Sequence, residues 1–213
     1  MLISNHAVRL ATAALFASCL LASSSSATTV TISDASSDEV GFPAATMDGT
    51  VEFSVSGNTL TIDVTNDTTG TMRMTELVFN GSVDVTNLTL DTAPIASGGD
   101  ALWVFSTSVT ADIFGTFDYG IDGLKVGGGP SAEYGEVLAG ETIQFIFTIS
   151  GSGFDASSFS SSESSAGFSV AALFTANGGN GGAYGAAVIP EPSSAVMLML
   201  GLIGLTQLGR RRN

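Results

Sequence analysis

The stretch Val-Glu-Phe-Ser-Val-Ser-Gly-Asn-Thr-Leu-Thr-Ile-Asp-Val-Thr, residues 51–65, decides the fold class of this chain. Before Gly57-Asn58, apolar residues alternate with Glu and Ser, and after it they alternate with Thr and Asp. This is the two-residue period of half-buried strands, and a two-residue Gly-Asn connection is typical of tight hairpins. The stretch therefore predicts an antiparallel hairpin with one buried face.

The sequence after this hairpin contains further strand patterns, and no convincing helical period occurs between Thr28 and Ile189. Met72–Phe79 is rich in apolar residues, and the Asn80-Gly81 pair that follows predicts a second hairpin with the residues after it. Turn signals recur about every 8–12 residues, the spacing of β-sandwiches and jelly rolls. We therefore predict an all-β domain, an antiparallel β-sandwich or jelly roll, over residues 28–176. Its other predicted strands are Val83–Leu90, a core strand at Ala101–Thr110, an interior strand at Ile143–Ile149 and a last strand at Ser169–Thr175.

Low-complexity stretches separate and follow these strands. Gly127–Pro130 predicts a loop, and the Ser-rich stretch Phe154–Gly167 predicts a long exposed loop. Residues 177–189 begin with a Gly-rich run, which predicts a flexible tether between the domain and the C-terminal tail.

The first 27 residues have the pattern of a secretory signal peptide. A short polar start with one positive charge precedes the apolar run Leu10–Ala22. Ser25 and Ala27 supply the small residues that signal peptidase needs, so cleavage is expected after Ala27. The apolar run is shorter than the about 20 residues of a membrane-spanning helix. The alternatives are a buried N-terminal core helix and lipid attachment at Cys19.

Charge and residue content exclude several classes of function. Between Thr28 and Ile189 there are 19 acidic and 2 basic residues, Arg73 and Lys125, which leaves a net charge of −17. Such a chain repels phosphate backbones, so we exclude DNA and RNA as partners. The single His and the single Cys, His6 and Cys19, lie in the predicted signal peptide. Ser-His-Asp catalysis, Cys-His catalysis and metal sites built on His or Cys are therefore excluded from the mature chain.

The C-terminal tail, residues 190–213, combines three features in order. Pro190-Glu191-Pro192 favours an extended backbone, and Ser193–Gly209 is an uncharged segment of 17 residues. As a helix this segment spans about 25 Å, the short end of what crosses a bilayer. Arg210, Arg211 and Arg212 then stop translocation and hold the end in the cytoplasm. With a cleaved signal peptide, the β domain faces outward.

This tail resembles the PEP-CTERM family of sorting tails, on the Pro190-Glu191-Pro192 motif, the single apolar helix and the terminal arginines. The resemblance is confined to the tail. It implies that an exosortase in the inner membrane recognises the tail and cleaves near the motif. The protein would then reach the cell surface or the extracellular matrix, as in Gram-negative bacteria with exopolysaccharide. An ordinary, permanently retained single-span anchor is the alternative.

The candidate ligand-binding residues are carboxylates and aromatic rings. Oxygen ligands suffice for calcium, and two loose acidic clusters occur, although neither has the spacing of an EF-hand. Flat aromatic rings stack on the faces of sugars, although Trp103 in its apolar strand is expected to belong to the core. The acidic clusters are Asp34, Asp38 and Glu39, and Asp112, Asp118 and Asp122; the aromatic candidates are Trp103, Tyr119, Tyr134 and Tyr184.

Three functions are compatible with these patterns. The first is a non-enzymatic structural or adhesive matrix protein without a cofactor, and the second is a calcium- or polysaccharide-binding lectin-like module. The third, a secreted glycosidase, needs two cleft acids roughly 5–10 Å apart, and no spacing in the sequence selects such a pair. The predicted partners are signal peptidase, the exosortase, and exopolysaccharide or other envelope components.

Overall fold

The computed structural model describes residues 26–33, 47–95, 99–128, 132–160, 162–175 and 182–188. In these ranges the chain forms antiparallel β-strands, one short α-helix and a 3₁₀ turn at Asp112–Phe114. The prediction of an all-β fold is therefore confirmed. Most of the predicted signal peptide and the whole tail lie outside the described residues.

The elements are β1 (Ser26–Ile32), β2 (Gly49–Ser56), β3 (Thr59–Asn66), β4 (Arg73–Phe79), β5 (Val85–Thr92), β6 (Trp103–Thr110), β7 (Thr116–Gly123), β8 (Lys125–Val126), β9 (Glu133–Tyr134), β10 (Val137–Leu138), β11 (Thr142–Gly151), α1 (Ser157–Ser160), β12 (Phe168–Thr175) and β13 (Gly182–Val188).

Two antiparallel sheets pack face to face. The first sheet has the strand order β1-β2-β3-β11-β5, and the second has the order β13-β12-β4-β7-β6, with β10 paired to β4. Strands β8 and β9 form a separate ribbon. Rings from both sheets meet between them, since Phe53 lies 5.8 Å from Phe79 and Trp103 lies 5.2 Å from Phe145, measured between ring centroids. The described domain is thus a β-sandwich with its main core between the sheets.

The hairpin predicted at residues 51–65 forms as expected. β2 and β3 pair in register, and Gly57 between them takes the left-handed conformation, with φ 59°, that a tight turn requires. Phe53 and Ile62 face each other across the two strands, and both are 0% exposed. Burying the apolar row stabilises the fold by about 25 cal/mol for each Å² removed from water.

A smaller apolar cluster lies on the outer face of the second sheet. Val78 and Ala171 point away from the main core, because they alternate with core residues along β4 and β12. The 3₁₀ turn between β6 and β7 joins this cluster through Phe114, which is 2% exposed and meets Phe168 edge-on at 4.9 Å. The loop between β6 and β7 is therefore anchored to the sheet by packing.

The predicted hairpin at Asn80-Gly81 is wrong. β4 lies in the second sheet, whereas β5 pairs with β11 in the first, so the chain crosses between the sheets at this point. The Asn80 side chain is 2% exposed and holds the crossing in place. Its Nδ2 donates to the Phe168 carbonyl at 3.2 Å, and its Oδ1 accepts from the Asp118 N–H at 3.0 Å. Asn80 therefore acts through its side chain and not as a hairpin residue.

The predicted boundary between the domain and the tether is also wrong. Gly182–Val188 belongs to the predicted tether at 177–189, but it forms β13 and pairs with β12. Small residues make this packing possible, because a Cβ on Gly185 would lie 3.0 Å from Ile32 and 3.3 Å from Phe174. Close packing therefore accounts for the glycine at position 185, and Ser169–Thr175 is not the last strand.

The predictions for the Ser-rich stretch Phe154–Gly167 and for the core strand at Ala101–Thr110 also differ from the structure. The Ser-rich stretch contains α1, and Phe159 in this helix is 0% exposed and stacks on Phe53 at 6.1 Å, so the stretch is not simply an exposed loop. Trp103 is 6% exposed and belongs to the core, as predicted. The rest of β6 is exposed or half-buried, because β6 is an edge strand rather than a core strand.

Strand β1 contains the predicted signal-cleavage site. Ala27 pairs with Ser54 of β2, and Ser26 Oγ accepts a hydrogen bond from the Ala156 N–H at 2.9 Å. Cleavage after Ala27, which stays a prediction, would leave Thr28–Ile32 as the paired part of β1.

Candidate functional site

A cleft of about 490 Å³ opens on one side of the sandwich. On the opposite side the two sheets are joined, since Ser33, directly after β1, forms a β-bridge with Ala186 of β13. On the cleft side, β5 and β6 are the edge strands of different sheets, and the cleft lies between the start of β5 and the end of β6. The β4–β5 crossing and the start of β7 complete its walls. The cleft therefore lies where the chain leaves one sheet for the other.

Most of the side chains that line the cleft can form hydrogen bonds. The lining includes the carboxylate of Asp118 and the phenol of Tyr119, together with apolar Val85 and Phe117. No Lys, Arg or His is found among the described residues that line it. Hydroxyl and amide groups donate as well as accept hydrogen bonds, so the lining suits a ligand rich in polar, uncharged groups. Its other polar members are Ser82, Thr86, Asn87, Thr107, Ser108 and Thr116.

Aromatic packing holds Tyr119 in place at the cleft. Its ring stacks on Phe105, with 5.8 Å between centroids and 22° between planes, and lies 5.5 Å from the ring of Phe79. Burial raises the pKa of the Tyr119 hydroxyl, and the charge of neighbouring Asp118 raises it further. The hydroxyl is therefore protonated at neutral pH, and it can both donate and accept a hydrogen bond.

The β4–β5 crossing orients Asp118. Its Oδ2 accepts a hydrogen bond from the Gly81 N–H at 3.1 Å, and its own N–H donates to Asn80 Oδ1 at 3.0 Å. Gly81 fits closely here, because a Cβ on this residue would lie 3.0 Å from the ring of Tyr119. The carboxylate and the phenol of the cleft are thus both in contact with the same short segment.

Ser108 in the cleft wall has a strained backbone. Its φ of 58° lies in the left-handed region, which is uncommon for a serine within a strand. It interrupts a regular pairing in which Thr107 faces Tyr119 and Val109 faces Phe117. Such a conformation costs about 1–3 kcal/mol and is concentrated at functional sites in proteins. The strain therefore marks the cleft wall as a candidate functional site.

A second group of polar residues lies on the outer face of the second sheet. Glu76 of β4 and Asp122 of β7 are cross-strand neighbours, and the Tyr184 hydroxyl reaches across β12 to donate to Glu76 Oε2 at 2.6 Å. Burial raises the pKa of Glu76; the Tyr184 hydrogen bond lowers it, and the charge of Asp122 raises it again. Burial also raises the pKa of Asp122, against a hydrogen bond from the Gly123 N–H. Two like charges on paired strands destabilise a sheet, so this group opposes folding when both are ionised.

We expect Glu76→Gln to stabilise the folded state at neutral pH and to flatten its dependence on pH. The pKa of Glu76 is higher in the folded state than its ordinary value of 4.5, so the folded state binds this proton more tightly than the unfolded state does. The free energy of unfolding therefore increases as the pH falls through the raised pKa towards 4.5. Above the raised pKa, the ionised Glu76 lowers the stability of the folded state. Glutamine keeps an acceptor for the Tyr184 hydroxyl. Urea unfolding of both proteins at several values between pH 5 and pH 8 measures the difference.

Glu163→Gln is the matched control, because it removes an exposed carboxylate that lies outside the paired strands. Its urea midpoint should follow the wild-type dependence on pH. Equal effects of the two substitutions would show that general charge repulsion, and not the buried position of Glu76, controls the pH dependence.

The structure separates the acidic residues that the sequence placed in one cluster. Asp118 lies at the cleft, Asp122 lies beside Glu76, and Asp112 lies in the 3₁₀ turn. Within the described ranges, no group of three or more His, Cys, Asp or Glu residues is placed to hold a metal ion. The other calcium candidates fall outside the described residues: Asp34, Asp38 and Glu39.

The four aromatic candidates lie in four different environments. Tyr119 lines the cleft, whereas Trp103 is buried in the core and Tyr184 is bound to Glu76. Tyr134 of β9 is 45% exposed, and the ammonium of Lys125 lies 5.3 Å from the centroid of its ring. Tyr119 is therefore the aromatic candidate that the fold combines with other polar groups in a cleft.

The remaining predicted site residues belong to the tail. The sorting motif Pro190-Glu191-Pro192 and the three terminal arginines, residues 210–212, lie outside the described residues. In the part of the chain that the structure describes, no helix has the length and apolar character needed to cross a membrane.

No family model, curated protein or solved structure matches this chain. Its class is therefore defined by its own geometry. That class is an antiparallel β-sandwich with a polar cleft between the edge strands of its two sheets.

Proposed function

We propose that this chain is an exported cell-surface or extracellular-matrix protein of a Gram-negative bacterium, sorted and cleaved by an exosortase at its tail. The observation that carries the proposal is the order of the tail: a Pro-Glu-Pro motif, an uncharged segment of 17 residues and three arginines. In this proposal the sandwich is a non-enzymatic structural or adhesive domain. Signal peptidase and the exosortase are its processing partners, and the inner membrane is a transient location.

The position of β13 supports cleavage near the motif. β13 ends at Val188, and Pro190 follows two residues later. Cleavage at the motif would therefore leave all the described strands in the released domain, with the pairing of β13 to β12 intact. The released form would need no rearrangement of the sandwich.

The charge of the domain supports a role that does not involve nucleic acid. Its two basic residues between Thr28 and Ile189 are already engaged. Arg73 Nη1 lies 2.6 Å from both carboxylate oxygens of Glu136, and Lys125 lies over the ring of Tyr134. A strongly acidic surface keeps a secreted protein soluble and repels polyanions.

Replacing Pro190, Glu191 and Pro192 together by alanine is expected to move the protein from the extracellular fraction to the membrane fraction. Without the motif the exosortase has no recognition site, and the uncharged segment with its basic end stays in the bilayer. Mass spectrometry of the two fractions from native cells measures the change. The extracellular wild-type chain should begin near Thr28 and end around the motif, whereas the variant should retain Asn213.

Ser193→Ala, directly after the motif, is the control and should be processed like the wild type. The exosortase proposal fails if the wild-type protein itself stays in membranes with Arg210–Asn213 intact, because the tail would then be a permanent anchor.

The cleft favours a second candidate function, a polysaccharide-binding lectin-like module delivered by the same route. Its lining combines hydroxyl and amide groups, which can pair with sugar hydroxyls, with an aromatic ring that offers an apolar face. The calcium-binding form of this alternative rests on Asp34, Asp38 and Glu39, outside the described residues. The glycosidase alternative requires two acids in one cleft, and Asp118 is the one carboxylate among the described residues of this lining.

A further inference from the structure

We propose that the cleft between β5 and β6 binds a segment of a neutral oligosaccharide. The proposal rests on the lectin-like candidate function above and extends it, because it names the binding site and the chemical class of the ligand. The size, the hydrogen-bonding groups, the charge and the rigidity of the cleft support it.

The cleft has the size of a small-ligand site. Its volume of about 490 Å³ falls within the range of about 300–1,000 Å³ that is typical of ligand pockets. Because it opens between two edge strands, a chain-like ligand can enter from the side and extend beyond it. A folded protein partner would instead require a broad, flat surface.

The lining matches the mixed surface of a sugar ring. Asn87 and Thr107 approach the cleft from the two edge strands, and their amide and hydroxyl groups can both donate and accept hydrogen bonds, as sugar hydroxyls do. Asp118 adds a strong acceptor. The half-buried ring of Tyr119 supplies apolar surface for the carbon face of a sugar, and Tyr119 also offers its hydroxyl.

The charge of the site selects a neutral ligand. A phosphate, sulfate or uronate group is bound in proteins by Arg, Lys or backbone N–H groups, and no basic side chain lines the described part of this cleft. The carboxylate of Asp118 and the net charge of −17 between Thr28 and Ile189 both repel an anion. The same charges attract a cation, but Asp118 is the one charged group among the described residues of the lining, and seven neutral polar side chains stand beside it. Hydroxyl and amide groups therefore dominate the contacts that a ligand can make.

The cleft is held rigid without a ligand, which lowers the entropy cost of binding. Asp118 is held by the Gly81 N–H at 3.1 Å, and Tyr119 is stacked on Phe105. The left-handed Ser108, with φ 58°, fixes the course of β6 at the cleft wall. A site whose groups are locked by their neighbours is preorganised for a ligand.

The test is isothermal titration calorimetry with neutral hexasaccharides of glucose, mannose, galactose and N-acetylglucosamine, and with a galacturonate hexasaccharide as the anionic comparison. Concentrations up to about 10 mM make a Kd of about 1 mM measurable. We expect at least one neutral hexasaccharide to bind. Asn87→Ala and Thr107→Ala should each weaken its binding by about tenfold or more, and Thr86→Trp should abolish binding because the indole fills the cleft.

Matched controls lie on the same two strands. Thr92 of β5 and Ser106 of β6 are exposed and do not line the cleft, so Thr92→Ala and Ser106→Ala should bind like the wild type. The urea midpoint of every variant shows whether it is folded. The titrations use both the processed protein and the full chain in detergent, so a failure of sorting leaves the test intact.

Three results would overturn the proposal. They are the absence of binding to all four neutral hexasaccharides at about 10 mM, an equal loss of binding in the control variants, and tighter binding of the galacturonate hexasaccharide. None of them bears on where the tail is cleaved, so the sorting proposal and the cleft proposal fail separately.

Discussion

Phe79→Ala is expected to lower the free energy of unfolding by about 3–5 kcal/mol, the cost of truncating a buried phenylalanine. Phe79 is 0% exposed and lies where the two sheets meet. Its ring centroid is 5.8 Å from that of Phe53 and 6.3 Å from that of Phe147, both in the opposite sheet. It is also 5.5 Å from Tyr119, so the cavity left by alanine would loosen the floor of the cleft as well as the core. Urea unfolding followed by circular dichroism measures the loss.

Two controls show whether the loss comes from the buried volume. Phe79→Leu keeps most of the apolar volume and should cost about 1–2 kcal/mol. Ile113 in the 3₁₀ turn is 62% exposed, so Ile113→Ala should change stability by less than about 0.5 kcal/mol. A similar small effect for Phe79→Ala would mean that the two sheets do not pack through this residue.

Asn66→Ala should lower the free energy of unfolding by about 2–4 kcal/mol, because it removes hydrogen bonds from buried backbone groups. Asn66 at the end of β3 is 0% exposed. Its Nδ2 donates to the carbonyls of Met72, at 3.1 Å, and Val137, at 2.7 Å. Its Oδ1 accepts from the N–H of Thr68, at 3.1 Å, and from its hydroxyl, at 2.6 Å. One side chain thus connects β3 of the first sheet with β10 and the start of β4 in the second.

Asn58→Ala is the matched comparison. Its Nδ2 also donates to a backbone carbonyl, that of Ile149 at 3.1 Å, but Asn58 is exposed in the β2–β3 turn, where water can replace it. We expect a loss below about 1 kcal/mol. If the two alanine variants lose the same stability in urea, burial is not what makes the Asn66 hydrogen bonds important.

The sequence was sufficient to predict the strands whose determinants are local. Residues 51–65 combine alternation with a matching two-residue turn, and both halves of that pattern agree with the structure. Asn80-Gly81 has an equally strong local turn signal, yet the distant residues Asp118 and Phe168 bind the Asn80 side chain and direct the chain into the other sheet. Local turn and strand propensities cannot reveal such a contact, because the contact depends on residues that are far apart in the sequence.

The composition of β13 was misleading for a related reason. Gly and Ala are poor strand formers and are common in linkers, so residues 182–188 resemble a tether. In the fold Gly185 has little room for a side chain, because Ile32 and Phe174 pack against it. The need for a small residue is set by its neighbours, and those neighbours are identified only when the sheet is assembled.

The cleft could be predicted only in part. Asp118 and Tyr119 were candidates from the sequence, as an acid and an aromatic ring in a polar segment. Asn87, Thr107 and Ser108 were not candidates. The predicted hairpin placed the strand of Asn87 beside β4, and not on the side of the sandwich where the edge strands β5 and β6 lie. Polar residues at the ends of two strands carry no signal of their own until the topology brings those ends together.

The strained Ser108 also affects how copies of this chain can pair with one another when they are crowded. Among the described residues β6 pairs with β7 alone, and a second copy could add its own strand to the other edge of β6. The left-handed turn at Ser108 takes part of this edge out of a straight line, so an incoming strand can pair along only a portion of it. We therefore expect the residue that shapes the cleft wall to hinder fibril growth where many copies crowd together.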